Sequence, residues 1–226
     1  MLLVAVMLIG VISAAMPATV VGASYIDDFL NTVGPMCTAD MRDNKILASI
    51  SLAQAIWESG WGTSTLAKEA NNLFGIRAYH TWGGMIYDRN EKVLYNNWAE
   101  VHAAKGDAYV KEQELSFWRA YPSWQESVND HSALFNNMDI YAPLRGNYDF
   151  HSCAQILYTS GYCGEPSYPS VLITLYDQFD LEKYNYTGDW GSTVTPTPNC
   201  TVTLTPKTLF MDKGNSYTAT VTVSPV

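Results

Sequence analysis

The sequence has few charged residues, and most of them are acidic. Asp, Glu, Lys and Arg make up 15% of its 226 residues, and 22 acidic against 13 basic side chains give a formal net charge of −9. It shows no basic patch of the kind that binds nucleic acid, and an acidic surface disfavours binding to anionic lipid. The composition therefore argues against a nucleic-acid or membrane-surface partner and favours neutral or mixed-charge substrates.

The sequence also lacks the ligand spacing of a metal site. Its four cysteines include no C-x-x-C pair, so neither a zinc site nor a cofactor is expected. In an exported protein an even number of cysteines favours disulfides, with free thiols as the alternative. Cys153 and Cys163 are close enough in the chain to bridge a helix to the loop that follows it.

Charge is completely missing from the side chains of residues 1–23. An apolar run is followed there by small residues at the first and third positions before Ser24, as at a signal-peptidase site. We predict that residues 1–23 are a signal peptide and that the protein is secreted or associated with the cell wall, without membrane insertion after cleavage. An uncleaved anchor is the alternative, although the apolar run is short for a membrane span.

Between residues 24 and 185 the pattern is mainly helical, with one β excursion. Residues 82–95 hold two apolar stretches around a polar turn at 88–90, which predicts a β-hairpin. The expected helix caps are Asn44, Thr63 and Ser123. Together these patterns predict an α+β domain with a small β-hairpin lobe. Apolar residues at helical spacing predict helices over residues 25–33, 44–58, 63–70, 98–115, 123–136, 149–160 and 168–179.

The composition changes near the C-terminus. Residues 186–199 are rich in Thr and Pro and are predicted to form a linker. Residues 200–226 alternate apolar and polar side chains, and they resemble the first strands of a bacterial immunoglobulin-like repeat. Because such a sandwich needs about 100 residues, this β-rich segment reads as the start of a truncated domain that packs poorly or forms only a hairpin.

One acid, Glu58, stands between two tryptophans in the stretch QAIWESGWG, residues 54–62. The negative end of the helix dipole and partial desolvation by Trp57 and Trp61 would both raise the pKa of its carboxyl group. A carboxyl group that stays protonated near neutral pH can serve as a general acid on a glycosidic oxygen. The alternative is an ordinary solvated acid at a helix end.

Four motifs in order resemble the bacterial endo-β-N-acetylglucosaminidase family, which includes autolysins and the flagellar rod hydrolase. They are QAIWESGWG at 54–62, NNLFGI at 71–76, WRAYPSWQESVNDHSALF at 118–135 and GYCGEPSYPSVL at 161–172. The resemblance implies a lysozyme-like fold and hydrolysis of peptidoglycan glycan strands at the β-1,4 bond that follows N-acetylglucosamine. It implies no cofactor, and we expect a monomer.

The resemblance also implies roles for individual residues. Glu58 matches the family's general acid, and Trp57 replaces a usual leucine, a change expected to alter packing and not chemistry. A second carboxylate is expected on the hairpin lobe, where Glu91 is favoured and Asp88 and Glu100 are the alternatives. Inverting, retaining and substrate-assisted mechanisms all remain open.

Several residues of the four motifs are candidates for substrate contact. Phe74 could equally belong to the core, and His131, on the apolar face of its helix, is expected to be a core histidine. The composition includes 15 Tyr and 7 Trp, which suits either a sugar-binding groove or an aromatic core. The predicted substrate-binding residues are Trp61, Asn72, Phe74, Tyr121 and Tyr168.

Two other functions stay open. The divergent hairpin and the immunoglobulin-like segment are compatible with a wall-binding or adhesion module that has lost activity. The family name also allows hydrolysis of host N-glycans or of chitin-like oligomers.

Overall fold

A computed structural model describes residues 21–188, 200–205 and 220–225, with side chains from residue 25 to residue 188. The predicted signal peptide and linker lie almost entirely outside the described residues. Short 3-10 turns occupy Glu114–Ser116, Asp139–Leu144 and Leu181–Tyr184. The helices of the main unit are α1 (Val21–Asn44), α2 (Ala48–Ser59), α3 (Thr65–Ala70), α4 (Trp98–Lys105), α5 (Asp107–Glu112), α6 (Trp124–Asn137), α7 (Phe150–Thr159) and α8 (Tyr168–Phe179).

Helix α2 lies at the centre of the main unit. All but two of its residues are buried, and the exceptions are the consecutive residues Trp57 and Glu58 in its last turn. The helix ends at Gly60, whose left-handed backbone (φ +56°) lets its N–H donate to the carbonyl of Ile56. A helix buried on almost every side holds its last turn rigidly, because each face is packed.

The structure corrects two sequence expectations about helix starts and confirms a third. The helix predicted at 25–33 continues through Pro35 to Asn44, so Asn44 ends α1 and does not cap α2. Helix α3 is capped by Ser64 and not by Thr63, since the Ser64 hydroxyl accepts from the N–H of Ala67 at 3.1 Å. The predicted cap at the start of α6 is confirmed, because the Ser123 hydroxyl accepts from a backbone N–H of the first turn.

The β lobe contains the predicted hairpin and one strand that was not predicted. Strands β1 (Met85–Asp88) and β2 (Val93–Tyr95) pair antiparallel, with Tyr87 opposite Leu94. The third strand, β3 (Phe117–Ala120), pairs antiparallel with the other side of β1 and places Trp118 opposite Tyr87. The sheet order is β2-β1-β3, so β1 is central, and β3 leads directly towards α6. The α+β class is confirmed.

The chain divides into a main unit that ends at Thr187 and a second unit that begins at Gly188. In the part of the second unit that the structure describes there are two strands, β4 (Cys200–Thr205) and β5 (Thr220–Pro225). They pair antiparallel over their whole length, from Cys200 opposite Pro225 to Thr205 opposite Thr220. This pairing is compatible with the expected hairpin.

The sequence leaves open which cysteines pair and whether they pair at all. In the structure Cys153 and Cys163 do not form a disulfide, and both thiols are free and buried, as is Cys37. Burial raises the pKa of the Cys153 thiol to about 12, so this group stays protonated and unreactive. Among the described residues, no helix is long and apolar enough to cross a membrane.

We predict that Gly62→Ala destabilises the main unit more than Gly146→Ala does. Both glycines have positive φ, +70° and +69°, but a Cβ at Gly62 would lie 2.7 Å from the Trp124 ring, whereas a Cβ at Gly146 meets nothing within 4 Å. Alanine at either position is strained by the left-handed backbone, so this contribution is common to both variants. The difference between their free energies of unfolding therefore reports the overpacking at Gly62, expected at about 1–3 kcal/mol. Urea unfolding measures it, and equal losses in the two variants would contradict the predicted clash.

Candidate active site

The Glu58 carboxyl group lies at the end of α2 and contacts a tyrosine from α8. Its side chain is half-buried. The Tyr168 hydroxyl donates to Oε1 of Glu58 at 3.1 Å, and the Gln54 amide donates to the same hydroxyl at 3.0 Å. The side chains of Gln54 and Tyr168 are themselves buried, at 0% and 2% exposure. A chain of hydrogen bonds therefore runs from the core to the carboxyl group.

Burial changes the acidity of this carboxyl group. Desolvation raises the pKa of Glu58 to about 7, and the hydrogen bond from Tyr168 lowers it by a smaller amount. The charge of Glu58 in turn affects its neighbours. Burial raises the pKa values of Tyr162, Tyr168 and Cys163, and the charge of Glu58 raises them further. Glu58 thus lies beside neutral groups from the segment 162–168, and both of its protonation states are accessible near neutral pH.

The two tryptophans beside Glu58 behave differently from each other. Trp61 packs edge-on against Phe29 and Phe179, with ring centroids 5.9 and 4.7 Å away, and so joins the first and last helices. Trp57 is 46% exposed. Trp57 is thus partly exposed and partly covered, and the expected effect of this residue on packing stays a prediction.

The motif NNLFGI forms a buried loop. Asn72 is 1% exposed, and its amide donates to the carbonyls of Ile76 and Arg119 while its oxygen accepts from the N–H groups of Phe74 and Ile76. Phe74 is 3% exposed and stacks on His131, with ring centroids 3.8 Å apart. The structure places both residues, predicted to bind substrate, in the core, because their polar and aromatic surfaces are already used within the protein.

Tyr121 is buried in a small charged network. Its hydroxyl donates to Asp130 at 2.6 Å, and Arg119 makes two hydrogen bonds to the same carboxylate at 2.7 and 2.8 Å. The Arg119 guanidinium also lies over the ring of Trp82, 4.4 Å from its centroid. Tyr121 is only 3% exposed, so it supports the junction of β3 and α6. Of the predicted substrate-binding residues, Tyr168 is the one that the structure brings to Glu58.

The candidate carboxylates of the hairpin lobe have different surroundings. Glu91 is exposed at the β1–β2 turn and forms an ion pair with Lys105. Asp88 is fully buried, and its Oδ1 accepts from the N–H groups of Asn90 and Glu91 at 2.9 and 3.4 Å, which shapes the turn. Glu100 is exposed and accepts from Asn96.

Sequence reasoning missed two hydrogen-bonding groups, Gln54 at this site and Glu69 beside the β lobe. Gln54 is one helical turn before Glu58, an i,i+4 spacing that could have been noticed. Glu69 of α3 accepts a hydrogen bond from the Tyr87 hydroxyl, and no sequence signal linked it to β1. No cluster of three or more His, Cys, Asp or Glu side chains that could hold a metal ion occurs in the described part of the chain.

The region that contains these residues matches a family of known enzymes. The model of the mannosyl-glycoprotein endo-beta-N-acetylglucosaminidase family aligns with residues 34–181. The exo-glucosaminidase LytG of Bacillus subtilis (strain 168) is 31% identical over 145 residues, 62% of this chain and 46% of LytG. The autolysin of Enterococcus faecalis (strain ATCC 700802 / V583) is 28% identical over 188 residues, 80% of this chain and 23% of that protein.

Solved structures show the same fold. The catalytic domain of the autolysin Auto from Listeria monocytogenes aligns with a TM-score of 0.53 at 21% identity, over 76% of this chain and 92% of that domain. At this identity the likeness shows the fold alone, and it confirms a lysozyme-like glucosaminidase architecture. The chain spans less than half the length of either curated relative.

We predict that His131 makes the protein less stable in acid. The ring is fully buried, neither nitrogen has a hydrogen-bond partner among the residues that the structure describes, and burial lowers its pKa to about 3. The unfolded chain has a histidine pKa near 6.5, so it binds more protons as the pH falls, and stability is lost between about pH 6.5 and 3. His131→Phe keeps an aromatic ring and removes this titration.

The measurement is the free energy of urea unfolding for both proteins at pH 7, 6 and 5. Between pH 7 and 5 the wild type should lose roughly 2 kcal/mol relative to His131→Phe. Asp40, whose pKa burial raises to about 6, is present in both proteins, so its contribution cancels. Parallel pH dependence in the two proteins would refute the prediction.

Proposed function

Because this chain belongs to the mannosyl-glycoprotein endo-beta-N-acetylglucosaminidase family, we propose that it is an exported peptidoglycan hydrolase with Glu58 as general acid. The proposed target is the β-1,4 bond between N-acetylglucosamine and N-acetylmuramic acid. The observation that carries the proposal is the half-buried Glu58 carboxyl group, which lies within the matched region and has a pKa raised to about 7. The similarity to an exo-glucosaminidase and to an autolysin supports the same substrate class.

The environment of Glu58 suits both halves of a proton transfer. Near neutral pH a large share of the molecules holds the carboxyl group protonated, so it can donate to the glycosidic oxygen as the bond to the leaving sugar breaks. The carboxylate that remains accepts the hydrogen bond from Tyr168 at 3.1 Å, and this bond favours the charged form.

For the second catalytic group we propose Glu91, with Asp88 and Glu100 as the alternatives. Glu91 is exposed, and its one described partner is the Lys105 side chain. Asp88 is committed to the turn through its Oδ1. A carboxylate about 6.5–9.5 Å from the acid would activate water with inversion, and one at about 5–5.5 Å would act as a nucleophile. The 2-acetamido oxygen of the substrate is a third route.

The test of the acid is Glu58→Gln, which keeps the size of the side chain and removes the transferable proton. We expect about a 10²–10⁴-fold loss of activity on purified cell walls. Glu112→Gln makes the same chemical change at an exposed position of α5 and should leave activity unchanged. Mass spectrometry of the wild-type products should find N-acetylglucosamine at the reducing ends.

The outcomes separate the parts of the proposal. Reducing-end muramic acid would overturn the proposed bond while leaving hydrolysis intact. Full activity of Glu58→Gln would overturn the role of Glu58. Wall binding without any hydrolysis by the wild type would favour a binding or adhesion module.

The second group is tested by comparing Glu91→Gln, Asp88→Asn and Glu100→Gln. We expect Glu91→Gln to lose about 10²-fold or more, while the other two stay within a few-fold of the wild type. Adding azide to Glu91→Ala should restore turnover and give a glycosyl azide whose anomeric configuration reports the mechanism. If all three variants keep full activity, the substrate's own acetamido group becomes the favoured catalyst.

A further inference from the structure

Gln54 is buried on the same helix as the proposed acid and is linked to it through Tyr168. It lies on α2 one turn before Glu58, and its side chain is 0% exposed. Its Nε2 donates to the Tyr168 hydroxyl at 3.0 Å, and that hydroxyl donates to Oε1 of Glu58 at 3.1 Å. The three polar groups form a chain in which each step has a direction.

That direction decides where the proton of Glu58 can sit. A phenol has a single hydrogen, and an amide nitrogen can only donate. Because the Gln54 amide donates into a lone pair of the Tyr168 oxygen, the phenol hydrogen is directed to Oε1 of Glu58. Oε1 is therefore occupied as an acceptor, and the carboxyl hydrogen belongs on Oε2.

We propose that Gln54 is a positioning residue that acts through Tyr168 and places the transferable proton of Glu58 on Oε2. This inference rests on the proposed role of Glu58 as general acid. The opposite orientation of the Gln54 amide would have the opposite effect. The Oε1 of Gln54, which has no hydrogen-bond partner among the described residues, would then accept the phenol hydrogen. Glu58 would in that case have to donate its own proton to the Tyr168 oxygen. The proton would be held away from a substrate.

The positions of these groups leave little room for another arrangement. Gln54 is fixed by a helix whose residues 48–56 are all buried. Tyr168 is 2% exposed, and its ring is roughly parallel to that of Tyr162, with centroids 6.2 Å apart. The phenol therefore has no access to bulk water that could replace the amide as a partner.

The test is the pH dependence of kcat for the full chain carrying Gln54→Met, which has a similar volume and no donor. A phenol without the amide donates a weaker hydrogen bond, so the Glu58 carboxylate is stabilised less and the alkaline limb moves to higher pH, by about 0.5 pH unit. Because the phenol can then also accept the Glu58 proton and hold it away from the substrate, we expect kcat at neutral pH to fall about threefold to tenfold despite the higher pKa, with KM unchanged.

A double-mutant comparison shows whether the effect passes through the phenol. In a Tyr168→Phe background, Gln54→Met should move the alkaline limb no further. Gln54→Glu serves as a conservative variant, because its neutral form at low pH can still donate to the phenol. It should stay within about threefold of the wild type at pH 5, and as it ionises towards pH 8 it should lose activity relative to the wild type measured at the same pH. This variant also carries the test if Gln54→Met does not fold.

Three outcomes would overturn the inference. They are an unmoved alkaline limb in Gln54→Met, an equal shift in the Tyr168→Phe background, and wild-type activity of Gln54→Glu at both pH values. A loss of stability alone, with an unchanged pH profile, would reduce Gln54 to a structural residue. Failure of the proposed function is distinguishable, because Glu58→Gln would then remain active whatever Gln54 does.

Discussion

Desolvation of one carboxyl group is the constraint on which the proposed active site depends. Glu58 can hold a proton near neutral pH only if its charged form is disfavoured, and this requires a last helical turn that cannot move out into water. Helix α2 meets the requirement because almost all of its residues are buried. The hydrogen bond from Tyr168 of α8 limits the cost of the charged form, so packing and acidity are set by the same two helices.

The sequence predicts those features of the fold that are local. Gly60 ends α2 and Ser123 caps α6, because each acts on backbone groups within one turn. The sequence misplaces the start of α2 because this helix has no side-chain cap. It misplaces the start of α3 because two hydroxyl residues, Thr63 and Ser64, precede this helix and only Ser64 caps it. Strand β3 was missed because four residues carry little periodicity, and its pairing with β1 is a contact between segments about thirty residues apart.

In the candidate site, too, the sequence predicts what neighbouring residues determine and misses contacts between distant segments. Glu58 is predicted to be the acid because a helix end, flanking tryptophans and a family motif coincide in one short stretch. Its link to Gln54 is not predicted, because it passes through a tyrosine more than 100 residues away. Asn72 is predicted to bind substrate because it lies in the motif NNLFGI. Three of its four hydrogen bonds to backbone groups lie within the loop and the fourth reaches Arg119 of β3. Residue type alone could not distinguish this structural role from substrate recognition.

The two halves of the proposed chemistry differ in how firmly they are held. Glu58 is fixed by buried neighbours, and a change in its position would disrupt the core. Glu91, in contrast, is exposed at a hairpin turn, and its partner Lys105 is largely covered, with side-chain exposures of 45% and 15%. The Glu91 carboxylate is therefore held by one partly exposed ion pair and not by the packing of a buried helix. Rigid placement of the acid and loose placement of its partner would let the substrate complete the site.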